Sequence, residues 1–111
     1  MGKKKIEEIK REIERYKRRI KKKFQVDRII LFGSAARGEF TKDSDIDLII
    51  VSRKFGRKDV FKITPQLYDE WHLKAKIDYP VDILLFNVKE FERLKKRVSI
   101  VSEALREGIE I

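Results

Sequence analysis

Ile6, Ile9, Ile13, Tyr16 and Ile20 fall at steps of three and four along an opening segment otherwise made of Lys, Arg and Glu. That spacing draws one apolar stripe down a helix, so residues 6–23 are expected to pack the stripe on the domain's own sheet and leave the charges in water. Val26 to Phe32 is rich in β-branched and aromatic residues and stops at Gly33-Ser34, as a strand entering a turn does. Ser34 is expected to cap a short helical segment, Ala35–Arg37, that Gly38 ends. Glu39 to Ser44 reads as a polar loop and Asp45 to Val51 as a second strand, apolar from Leu48 onward.

After a loop over 52–58, Thr64 followed by Pro65 predicts an N-cap and a first helical residue. That helix is expected to reach about Lys76, with Leu67, Trp71 and Ala75 inward. Pro80 to Phe86 predicts a third strand. Asn87, with Glu90 three residues on, opens a helix to about Lys96. A last helix over Ser99 to Glu107 stops at Gly108 as its C′ glycine, and Ile109–Ile111 is a short extended tail. Trp71 is expected in the core and His72 at the surface, neither with a catalytic role.

Length and composition narrow the chemistry. The 111 residues suit one domain, 1–111, and bury a real core. With no cysteine and one histidine, thiolate metal sites, disulfide scaffolds, cysteine nucleophiles and multi-histidine sites drop out. No apolar run approaches a membrane span, and the basic N-terminus lacks the apolar core of a secretory signal, so a cytoplasmic protein is expected. Charge is uneven: residues 1–23 hold 12 Lys or Arg against 4 Glu, while the rest is close to neutral. Charged residues make up 42% of the chain, with one Asn and two Gln, a profile similar to that of thermophile proteins.

Two groups of residues carry chemistry. Asp45 and Asp47 stand two apart at a strand start, so both point to one face. Asp82 interrupts the apolar run of the third strand, where a charge is costly unless paired. If the strands are neighbours, three carboxylates converge and repel, and a divalent cation with a taste for oxygen, Mg²⁺ or Mn²⁺, reverses that repulsion. The second group is Gly33-Ser34 with Arg37. A strand feeding a glycine turn and a helix start offers backbone N–H groups, a hydroxyl and a guanidinium to phosphate. It is not a P-loop, because Glu39 stands where the lysine is needed.

Gly33-Ser34, ten intervening residues, then Asp45-Ile46-Asp47 resembles the signature of the DNA polymerase β-type nucleotidyltransferase superfamily. The longer strings Phe32 to Gly38 and Ser44 to Leu48, with Val81 to Leu84 and Ser99 to Leu105, are similar to its minimal nucleotidyltransferase branch over nearly the whole chain. The resemblance implies an α+β fold: a small mixed β-sheet with packed helices, in a single domain. It implies transfer of a nucleoside monophosphate from an NTP, ATP in this branch, to a hydroxyl, with release of pyrophosphate. Asp45, Asp47 and Asp82 would be the catalytic and metal-binding residues, holding two Mg²⁺ ions or Mn²⁺. Asp82 would also take the acceptor's proton. Gly33, Ser34 and Arg37 would bind the nucleotide's phosphates, and Ser44 would orient Asp45.

Members of this branch are often antitoxins that add AMP to a tyrosine of a HEPN-domain RNase toxin. Since 111 residues leave no room for an acceptor domain, a partner is expected to supply the acceptor site. Two alternatives stay open: a non-catalytic module of the same fold that binds the toxin, and a nucleic-acid-binding protein working through the basic segment 3–23. Either a homo-oligomer or a hetero-oligomer is compatible with the sequence.

Overall fold

The computed structural model describes residues 2–41 and 43–111. Helix α1, Gly2–Ile20, leads into strand β1, Val26–Phe32, and the short helix α2, Gly33–Ala36. Strand β2, Ile46–Ser52, is followed by a 3₁₀ turn, helix α3, Val60–Asp69, and a π-helical turn over Glu70–Lys74. Strand β3, Val81–Asn87, helices α4, Val88–Leu94, and α5, Ile100–Glu107, and strand β4, Ile109–Glu110, complete the chain. The expected α+β architecture is present, with the four strands in the order β3-β2-β1-β4. β1 runs antiparallel to β2 and β4, and β2 runs parallel to β3, so the sheet is mixed.

Strand register sorts the side chains into rows. On one face Leu31, Leu48 and Ile83 line up, followed by Ile29, Ile50 and Leu85. The larger core cluster forms on this face, where Ile9, Ile13, Tyr16 and Ile20 of α1 are wholly buried beside Leu67 and Trp71. The apolar stripe therefore packs on the protein's own sheet, as its spacing predicts. Tyr16 keeps its hydroxyl satisfied by donating to the Leu67 carbonyl at 2.9 Å, and its ring meets Trp71 edge-on at 4.9 Å. Trp71 Nε1 in turn donates to the Tyr79 carbonyl at 2.9 Å.

The other face carries three rows across β1, β2 and β3: Arg28–Val51–Phe86, Ile30–Ile49–Leu84 and Phe32–Asp47–Asp82. A smaller apolar cluster, centred on Phe91 of α4 and Val101 and Ala104 of α5, covers the first two rows. In the third row Phe32 still packs against that cluster, while the two acids lie beyond it. This is what positions the site.

Several boundaries depart from the sequence reading. α1 ends at Ile20, so residues 21–23 leave the helix through a turn in which Gln25 takes φ 47° and Phe24 folds back into the core. Of the segment 1–23, Met1 lies outside the described residues, as does Lys42 of the 39–44 loop. Phe40 in that loop is buried against Tyr79, so the loop is not polar throughout. The third helix starts at Val60, not at Thr64, because the Gly56–Asp59 turn opens it: Asp59 Oδ2 accepts from Gly56 N–H at 3.2 Å. Pro65 sits inside α3, and the carbonyl it leaves without a helical partner belongs to Phe61, which is 91% exposed.

Ser34 makes no capping hydrogen bond, and Phe32 occupies the N-cap position of α2. Asn87 and Ser99 do cap α4 and α5, accepting from Glu90 N–H at 2.8 Å and Ser102 N–H at 3.2 Å. α4 ends at Leu94, short of Lys96. Gly108 follows α5 but in extended backbone. It is needed for close approach: a Cβ there would stand 2.7 Å from the Leu31 carbonyl oxygen. No helix among the described residues is long and apolar enough to cross a membrane.

Candidate active site

Because β1 is antiparallel to β2 and β3 is parallel to it, the C-terminal end of β1 meets the N-terminal ends of β2 and β3. The residues singled out in the sequence converge there. Asp47 and Asp82 are direct register partners on neighbouring strands, whose backbones lie about 4.8 Å apart. Asp45 immediately precedes β2 and is exposed at the mouth. Gly33 follows Phe32, the register partner of Asp47 on the other side. Its φ is 73°, a conformation that suits glycine, and a Cβ on it would stand 3.2 Å from Asp47 Cγ and closer still to Oδ2. The glycine therefore gives the Asp47 carboxylate its space.

The electrostatics follow from this crowding. Partial burial raises the proton affinity of Asp47, the charges of Asp82 and Asp45 add to it, and Arg37 opposes them. The three carboxylates thus share one field, and a cation placed among them would relieve it. Oxygen donors of this kind suit Mg²⁺ or Mn²⁺. Among the described residues, though, no three acidic or histidine side chains stand close enough to cage a metal as they lie. Asp47 and Asp82 form a ready pair, and Asp45 stands at its edge.

Other assigned residues sit differently from expectation. Arg37 is exposed, and its guanidinium is taken by Glu39 at 3.1 Å and Glu107 at 3.5 Å, so its pull on Asp47 acts over distance. Ser44 is turned toward the loop: its Oγ lies 2.9 Å from Thr41 Oγ1 and accepts from Thr41 N–H at 3.1 Å. It does not hold Asp45 in this arrangement. Ser34 is half-buried in the first turn of α2, beside the glycine. His72 is exposed and stacks on Tyr68 with a centroid separation of 6.5 Å.

One residue at the site has no mark in the local sequence. Tyr68 Oη accepts from the Ile83 N–H at 3.0 Å and donates to Asp82 Oδ1 at 3.4 Å. It comes from α3 and closes over β3, an edge strand, capping a backbone donor that no further strand takes. Only the docking of α3 brings it there.

The structure thus brings a Gly-Ser turn against paired acids at one end of the sheet. Residues 13–109 match the family described as "Nucleotidyltransferase domain". The chain belongs to that family. A Methanocaldococcus jannaschii chain named as a candidate protein adenylyltransferase is 31% identical over 90 residues, covering 80% of this nucleotidyltransferase and 82% of that relative. A second so named, from the same organism, is 47% identical over 45 residues, 40% of this chain and 45% of its own length. The nucleotidyltransferase thus spans under half the length of that relative. In solved structures, a candidate nucleotidyltransferase from Sulfolobus solfataricus shares the fold, with a TM-score of 0.57 at 20% identity, over 96% of this chain and 78% of that one.

Proposed function

We propose that this nucleotidyltransferase transfers AMP from ATP to a protein hydroxyl, a tyrosine of a HEPN-type RNase toxin, and so acts as an antitoxin. The observation that carries the reading is the row Phe32–Asp47–Asp82, with two acids in register at an uncovered strand end and Gly33 against the first of them. Relatives named for protein adenylylation support the choice of acceptor class.

In this reading Asp45, Asp47 and Asp82 hold two Mg²⁺ ions, or Mn²⁺. The chemistry such ions supply when bound is charge neutralisation and polarisation of phosphoryl oxygens. The turn at Gly33-Ser34 receives the β- and γ-phosphates on backbone N–H groups, while the missing Cβ leaves the Asp47 carboxylate its place beside them. Arg37 adds positive potential from the rim. The acceptor oxygen bonds to the α-phosphorus, the α–β anhydride bond breaks, pyrophosphate leaves, and the hydroxyl proton passes to the Asp82 carboxylate. Tyr68 orients Asp82 from its far side.

A non-catalytic toxin-binding module of the same fold is the second reading. It is favoured by the absence, among the described residues, of a preformed three-ligand cage and by the engagement of Arg37 with Glu39 and Glu107. The two readings separate on incubation with labelled ATP and Mg²⁺, with and without the product of the neighbouring gene, followed by intact mass. AMP added to the partner, and lost in Asp45→Ala, supports transfer. Tight complex formation with no added mass supports the binding module.

A further inference from the structure

At the opposite end of the sheet the charge is reversed. Six of the seven residues 17–23 are Lys or Arg, and Arg53 and Lys54 leave β2 beside them. An open groove of roughly 990 Å³ lies between the end of α1 and the start of β1, lined by Arg18, Lys21, Lys22 and Arg53 together with Gln25 and Asp27.

The fold accounts for part of this charge. A helix C-terminus favours one or two cations in its last turn. Arg19 reaches Glu70 at 3.4 Å, Lys17 donates to the Ile111 carbonyl at 2.8 Å and Arg53 holds Asp27 at 2.6 Å. Arg18, Lys21 and Lys22 are exposed and form no ion pair among the described residues. Asp27 is the groove's one acid, and Arg53 already occupies it. Like charges gathered this way repel one another and raise the local concentration of anions.

The surroundings choose the ligand. Protein partners dock on apolar centres from which Lys is depleted. The large apolar side chains exposed among the described residues are Phe61, Leu73, Val98 and Ile100, and none lines the groove, whose one apolar residue, Val26, is buried. Phe24 is buried beside it and offers no stacking face. We infer that the groove is a second binding site, for the phosphate backbone of a nucleic acid, recognised by charge without reading bases. It lies about 20 Å from the carboxylates, the length of a seven-residue strand, and stands whether or not the proposed transfer occurs.

Fluorescence anisotropy of a labelled single-stranded oligonucleotide over a salt series tests it. Three phosphate contacts give a log–log salt slope of about −2. Arg18→Glu with Lys22→Glu should weaken binding by about tenfold or more and flatten the slope by over half. Arg18→Gln with Lys22→Gln, a gentler change at the same two positions, should move both in the same direction by less. Lys62→Glu with Lys96→Glu makes the same change in net charge away from the groove and should stay within about twofold of the parent. RNA and DNA strands should bind alike, since no group reads the sugar. Equal losses in the groove and control variants, no salt-sensitive binding, a strong preference for either sugar, or equal competition by polyglutamate would each overturn the proposal, the last in favour of an acidic protein.

Discussion

Where β1 ends and β2 and β3 begin, charge sits on short side chains fixed to strands in register. At the far end it sits on long side chains at a helix terminus and beyond the last residue of β2. The carboxylates cannot move apart, because their spacing is the spacing of the sheet. The far-end cations spread into water at will. A fixed cluster of like charge suits a ligand whose geometry matters, such as a metal-bound triphosphate. A mobile one suits a ligand recognised by charge density alone. The two ends also differ in how change should act on them: one by position, the other by number of charges.

The largest effect is expected from Gly33→Ala. Its Cβ would invade the Asp47 carboxylate while its backbone is held in the left-handed region, at a cost of about 1–2 kcal/mol before any clash. Transfer should vanish and the melting temperature should fall, whereas oligonucleotide binding at the far end should survive at temperatures where the fold persists. Next come Asp82→Asn and Tyr68→Phe, compared by steady-state kinetics and nucleotide binding. The first should lower kcat by about a hundredfold with nucleotide affinity little changed, as loss of a proton acceptor does. The second should lower kcat only several-fold, since Tyr68 positions Asp82 through a long hydrogen bond and the Ile83 N–H stays satisfied by water. Equal losses in kcat and nucleotide affinity for Asp82→Asn would make Asp82 structural.

The smallest effect is on stability. Asp47 holds its proton more tightly in the folded chain than in the unfolded one, through burial and then through Asp82 and Asp45. Between the ordinary carboxylate range and that raised value the folded state binds the extra proton, so stability falls as pH rises through the window. Asp47→Asn removes the penalty. It should melt about 1–3 °C above the parent at neutral pH without metal, and show no advantage below about pH 3, where both states are protonated. A lower melting temperature at neutral pH would mean that Asp47 is stabilising as it stands.

Most of this comparison is legible in the sequence. The stripe from Ile9 to Ile20, the strands ending at Gly33 and starting by Asp47, and the acid inside the third strand all follow from periodicity and from the cost of a lone charge in an apolar run. Local pattern could not give what depends on docking. Tyr68 meets Asp82 only when α3 crosses over β3, and Glu107 takes Arg37 only when α5 returns beside α2. Thr64-Pro65 misled because a proline at N1 and a proline with an exposed carbonyl four residues back look the same in sequence. Gly108 was legible as a glycine but not for its reason, since the Leu31 carbonyl it admits is far away in the chain.

If the paired carboxylates perform transfer and the basic groove does not, one assay separates the two ends of the sheet. Intact mass after incubation with ATP, Mg²⁺ and the product of the neighbouring gene, for the parent chain, Asp47→Ala and the Arg18→Glu, Lys22→Glu variant side by side, separates them. Added AMP is expected with the parent and the groove variant and none with Asp47→Ala. Unchanged transfer by Asp47→Ala would contradict that role for the carboxylates.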